Sequence, residues 1–210
     1  CVVGAQPDAV VAFNAGTHDV GAVLGLVWKH LWPAMHQDTL PENPAELAAL
    51  RTKSVSLAIA PPAGDMSTQA ASAIVQRFPQ TLCFQMAENP LGLQEMTLGT
   101  AQTDVVVLTG RNAMGTFTLR CAVGRWHAGC EEFFIGIAEK PGDPAAGMAA
   151  LQADGSLRLR VQQLCGPASA LLEVTVSGDK LTVKGTMNAT FGPPELPVLT
   201  GTLVRESANR

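Results

Sequence analysis

Three short patterns in this 210-residue chain place reactive side chains at spacings that acyl-transfer chemistry uses. Ser177-Gly-Asp-Lys180 sets a hydroxyl and an amine three residues apart, the spacing at which one helix turn presents a serine nucleophile beside a lysine base. Ser207-Ala-Asn209 and His127-Ala-Gly129 match the companion motifs that handle the proton and hold the substrate. Their context argues against all three. A nucleophile of this type needs a helix start facing a cleft, whereas Ser-Gly-Asp is turn chemistry between two strand-like runs. Ser207 lies at the fraying end of the chain and His127 follows an exposed-reading Arg125, and the order of the motifs is wrong for one site. No catalytic residue is therefore expected within the chain.

Other reactive groups fare no better. Cys121, His127 and Cys130 have metal-ligand character, but zinc sites usually show two close pairs and four ligands, and the fourth is missing here, so no metal and no cofactor is expected. Glu131 and Glu132 are adjacent; in a strand they face opposite sides and cannot act as an acid/base pair. Five widely spaced cysteines do not make a disulfide framework and read as free thiols in a reducing, cytoplasmic setting, which also argues against glycosylation at Asn188-Ala-Thr190. The chain is 47% hydrophobic and 15% charged with a net charge of −4, and its Lys and Arg are scattered. That composition can supply a real core and offers no electrostatic footprint for nucleic acid or an anionic membrane, and no apolar run reaches spanning length.

The elements that must position any site change character along the sequence. Residues 9–13 form a short apolar strand run, and Asn14-Ala-Gly-Thr-His-Asp19 is a loop ending in a helix cap. The helix over 19–32 carries Val20, Val23, Leu24, Val27, Trp28 and Leu31 on one stripe and stops at Pro33. Such a helix needs a sheet to lie on, and two strands are too few. Residues 37–77 read as a proline-punctuated linker with one helix over 45–57, capped by Asn43 and started by Pro44, and an ambiguous stretch over 65–76. From residue 78 onward strand and turn alternate: runs at 81–86, 93–98, 104–109, 115–123, 133–137, 157–164, 170–176, 180–185 and 198–204 predict a closed antiparallel barrel of the lipocalin kind, or a sandwich. Leu157, Leu159 and Val161 alternate with Arg158, Arg160 and Gln162, which is one buried and one wet face. Phe191, beside Gly192, is expected to plug an open end of the barrel.

The wording Cys1-Val-Val, Asp8-Ala-Val-Val-Ala-Phe13, Ala15-Gly-Thr-His-Asp19 and Leu26-Val-Trp-Lys-His-Leu-Trp-Pro-Ala-Met35 resembles the close of the catalytic domain in serine hydrolases of the β-lactamase and penicillin-binding-protein superfamily, class C-like. Asn89-Pro-Leu-Gly-Leu93, Val123-Gly-Arg-Trp126, Asp154-Gly-Ser-Leu-Arg-Leu-Arg160 and Asn188-Ala-Thr-Phe-Gly-Pro193 with Gly201 resemble the β-rich extension of some bacterial members. The resemblance implies a fragment: residues 1–36 as the edge of an α/β hydrolase domain, 37–77 as linker, and 78–206 as an accessory barrel. It implies a parent enzyme that cleaves a small acyl substrate through an acyl-enzyme, with the nucleophile upstream and its own N-terminal catalytic domain as the barrel's partner. It also implies substrate contacts from the loop carrying Asn14, Thr17 and His18, although that loop lacks an Arg for a carboxylate. The simplest competing role for the loop is to cap the helix. The rival reading of function is a non-enzymatic barrel that binds a small apolar ligand or a protein partner, since a barrel of about eight strands can enclose one small ligand.

Overall fold

The computed structural model describes residues 1–4, 8–36, 39–130, 144–190 and 192–204, with the side chain of Cys130 excepted. The chain divides into two units, Cys1–Ala60 and Pro61–Arg210. In the first, strands β1 (Val2–Gly4) and β2 (Ala9–Val11) form a two-stranded antiparallel sheet with Val2 opposite Val11. Helix α1 (Val20–Leu26) starts where Asp19 Oδ1 accepts the Ala22 N–H at 2.8 Å. It widens past Val27 into a looser turn, in which the Trp32 N–H reaches the Val27 carbonyl, and ends at a tight turn containing Pro33. Helix α2 (Pro44–Val55) is capped by Asn43, whose side chain accepts the Glu46 N–H at 3.2 Å. Of the apolar stripe expected along the first helix, Val27 alone is buried, whereas Val20 and Trp28 are half exposed.

The second unit is mainly β. Strands β3 (Leu82–Met86), β4 (Glu95–Ala101), β5 (Val105–Asn112) and β6 (Gly115–Val123) form a meander. The short β7 (His127–Cys130) follows, then β8 (Ala145–Leu151), β9 (Leu157–Gln163), β10 (Ser169–Ser177), β11 (Lys180–Met187) and β12 (Leu199–Leu203). The spatial order is β6-β5-β4-β3-β12-β11-β10-β9-β8-β7, and β6 also pairs with β8, which closes nine of these strands into a barrel. A ring with an odd number of strands cannot alternate in direction all the way round. One neighbouring pair must be parallel, and it is β6–β8, with Ala122 opposite Met148 and Val123 opposite Ala149.

Strand β8 reads Ala-Ala-Gly-Met-Ala-Ala-Leu, a poor strand sequence by propensity. The seam explains it. A Cβ on Gly147 would lie 2.4 Å from the Arg120 carbonyl oxygen and 2.6 Å from Cys121 Sγ, so the two strands approach closely only because one lacks a side chain. Around the ring, residues opposite one another share the inner face: Phe84 with Met96, Leu98 with Leu108, Leu108 with Leu119, Leu159 with Leu172. These inward side chains form a continuous apolar core.

Helix α3 (Thr68–Arg77) resolves the ambiguous stretch before the barrel. Ser67 caps it by accepting the Ala70 N–H, and Ala70, Ala71, Ile74 and Phe78 join the barrel core. Arg77 fixes the end of the helix to two hairpin turns: one guanidinium nitrogen donates to the Gly155 carbonyl and the other to the Val176 carbonyl at 2.9 Å. Thr100 Oγ1 donates to the Phe78 carbonyl. This helix therefore floors the end of the barrel where β8 turns into β9 and β10 into β11. In the first of those turns Asp154 accepts both the backbone N–H and the hydroxyl of Ser156, and these bonds, with Arg77 nearby, hold its carboxyl below the ordinary value.

Two outcomes follow from the seam and the floor. Gly147→Val should lower stability by about 1–3 kcal/mol or more, read as a lower denaturant midpoint, because β6 must yield to the new methyls. Asp154→Asn should lower the midpoint at neutral pH. A carboxyl whose folded pKa is depressed stabilises above its unfolded pKa and loses that contribution as pH falls through the folded one, so the gap between variant and parent should close in acid.

Candidate functional site

The opposite end of the barrel is built to leave space. Two inward glycines there sit beside large side chains. A Cβ on Gly110 would lie 2.2 Å from the Phe117 ring, and one on Gly185 would meet Leu172 at 2.7 Å and Leu196 at 2.9 Å. Small opposite large is how narrow barrels taper, and it lets Phe117 and Leu172 lean across the wall strands. Above them lies a narrow apolar cavity, with about 20 Å³ of room for a water-sized sphere, bounded by Leu91, Leu93, Met96, Leu108, Phe117, Leu119, Leu172, Val183, Leu196 and Leu199. Lys184 also borders it, but its register opposite Glu173 puts it on the outer face.

Two loops roof the cavity. The first is Asn89-Pro-Leu-Gly-Leu93, tied by one side chain: Asn89 Nδ2 donates to the carbonyls of Ala87 and Leu93, both at 2.8 Å, and Oδ1 accepts the N–H groups of Leu91 and Leu93. Gly92 takes φ 61°, which glycine adopts without strain. Leu91 and Leu93 are thus held over the mouth. The second is the run into β12. Regular pairing of β11 with β12 begins at Val183 opposite Leu199, yet Thr186 pairs with Glu195, so four steps on one strand match three on the other. This bulge turns Leu196 inward, over the space Gly185 leaves, with its N–H on the Gly185 carbonyl at 2.8 Å.

The residues singled out by sequence lie elsewhere. Asn14, Thr17 and His18 occupy the loop between β2 and α1 in the first unit, with Asn14 and His18 exposed, and Thr17 Oγ1 accepts the Asp19 N–H at 3.0 Å. Ser177 and Lys180 close the β10–β11 hairpin. His127 pairs with Gly147, Cys121 is fully buried in the barrel, and no group of three metal-binding side chains occurs among the described residues. Asn188 is engaged with both the Ser169 N–H and the Pro167 carbonyl. Burial raises the Cys83 thiol, with Glu95 adding to the effect, so it is not an activated nucleophile. Ser207, Asn209, Glu131, Glu132, Phe191 and the run at 133–137 lie outside the described residues. The cavity-lining set is not singled out by the sequence; the Asn-Pro-Leu-Gly-Leu phrase is its one legible trace.

No protein-family model and no curated protein matches the chain. Among solved structures it is similar to fatty-acid-binding protein 1 of Echinococcus granulosus, at 12% identity over 60% of this chain and 96% of that one, with a TM-score of 0.41. The fatty-acid-binding protein of Drosophila melanogaster brain tissue is 14% identical over 60% and 98%, with a TM-score of 0.41. That of Manduca sexta is 18% identical over 59% and 95%, with a TM-score of 0.36. The expected kinship with β-lactamase-like and penicillin-binding-protein-like serine hydrolases does not hold. Nothing in these comparisons points to such an enzyme, and the hydrolase role and catalytic-domain partner fall with it. The misleading phrases are structural: a loop held by Asn89, an alternating strand at β9 and a glycine at a close approach recur wherever antiparallel strands turn and pack.

Asn89→Ala removes four bonds at once from a half-buried loop. It should cost about 1–3 kcal/mol and raise amide exchange at Leu91 and Leu93 first, with β9 and β10 little affected.

Proposed function

We propose that the second unit is a non-enzymatic binding module whose barrel takes up one small, slender apolar ligand. The observation that carries this reading is the cavity at the roofed end: its side-chain lining is apolar throughout, it lies opposite a floor sealed by α3, and its roof is made of two loops rather than of paired strand. As it stands the cavity has about 20 Å³ of room for a water-sized sphere, so a ligand enters only by displacing the roof leucines. Its narrowness favours a single hydrocarbon chain over a ring system, with Leu91 and Leu196 giving way as the chain enters. Burying such a chain gains about 0.8 kcal/mol per CH₂, so a tail of some ten carbons supplies ample affinity without a polar anchor inside.

The test is displacement of a linear polyene probe, cis-parinaric acid, by dodecanol. The parent chain should show saturable displacement, and Leu108→Phe, which fills the cavity, should weaken it about tenfold with an unchanged circular dichroism spectrum. Absence of displacement in the parent chain, or equal displacement in the filled variant, overturns the reading.

A further inference from the structure

The cavity is not the only hollow that touches Gly185 and Leu196. On the outer face of the same wall lies a second, wider pocket with about 440 Å³ of room for a water-sized sphere, and it shares Leu172, Lys184, Gly185 and Leu196 with the inner one. The two hollows back onto each other at the bulge between β11 and the run into β12. Between the Val183–Leu199 pair and the Thr186–Glu195 pair one backbone bond crosses, from the Leu196 N–H to the Gly185 carbonyl at 2.8 Å; Pro197 has no N–H to add another, and Gly185 presents no side chain. At the bulge Leu196 borders both hollows.

The pockets differ in chemistry. The inner one is apolar. The outer one is rimmed by Arg158, Glu173, Lys184 and Glu195, with Arg158 and Glu173 in a loose 3.5 Å ion pair at partly exposed positions. Lys184 stands opposite Glu173 on the neighbouring strand, which leaves its ammonium at the rim beside the bulge.

Building on the reading of the barrel as an apolar-ligand site, we propose that the bulge at Leu196 is a lateral portal and that the ligand is a single-chain amphiphile. Its tail passes between β11 and the run into β12 to lie in the barrel. Its polar head stays in the outer pocket, within reach of Lys184 and Arg158. A head that stays outside needs no buried counter-charge, and the inner lining offers none.

Equilibrium binding of dodecanoate, dodecyltrimethylammonium and dodecanol to the full chain tests this. Lys184→Glu should weaken dodecanoate about three- to fivefold, tighten dodecyltrimethylammonium in the same measure and leave dodecanol unchanged. Lys180→Glu, the same charge change at the far end of β11, should alter none of the three. Equal effects of the two substitutions, or none from Lys184→Glu while all three ligands bind, would overturn the portal and leave the barrel site standing. Failure of dodecanol itself to bind would overturn both. Leu196→Ala supplies a kinetic check, since it should speed dodecanoate uptake in stopped flow; an unchanged rate argues against entry at the bulge.

Discussion

The barrel depends on its one parallel contact, between the end of β6 and the middle of β8. Every other neighbouring pair around the ring is antiparallel, so the nine-stranded count forces the seam, and the seam in turn forces small residues on β8. Without the close approach at Gly147 the sheet would have two open edges, and unpaired strand edges invite pairing with other chains. Closure also defines an inside, which turns a pleated alternation into a core and leaves one end to be floored and the other to be roofed.

The two ends are finished by different means. Helix α3 seals the floor with Ile74 and Phe78 and is fastened by Arg77 to two turns that belong to different hairpins. The roof is fastened by amide bonds from Asn89 and by a bulge, and its apolar contacts come from isolated leucines. Local stability follows buried apolar contact and protected hydrogen bonds, so the roof is the end that opens at least cost. The binding role is assigned to that end.

Much of the barrel was legible. The run at 115–123 coincides with β6, and those at 157–164, 170–176, 180–185 and 198–204 locate β9 to β12 within two residues, because their inward positions alternate with polar ones. Strands β7 and β8 were missed. Alanine and glycine carry no strand signature, and the reason they are needed, a neighbouring backbone at the seam, is a tertiary fact. Most of the cavity is illegible for a related reason: Gly110 and Gly185 read as weak points of strands, and only pairing shows which large side chain leans over each. The first helix misled in the other direction, since its periodic stripe promised burial that falls on Val27 alone.

Strands β3 and β12 lie side by side, with Phe84 opposite Leu203, although they stand at the two ends of the unit's sequence. The barrel therefore cannot close until nearly the whole unit has been made. On the ribosome, the strands from β3 to β11 must wait as an open sheet with both edges bare, and the five residues of β12 decide when that interval ends. Contacts of such long sequence separation fold slowly, and exposed edges in the meantime are prone to aggregate. A chain that stalls or is clipped just before Leu199 is thus left as a curved sheet with its apolar face uncovered, which a chaperone or a protease would recognise before any folded barrel appears.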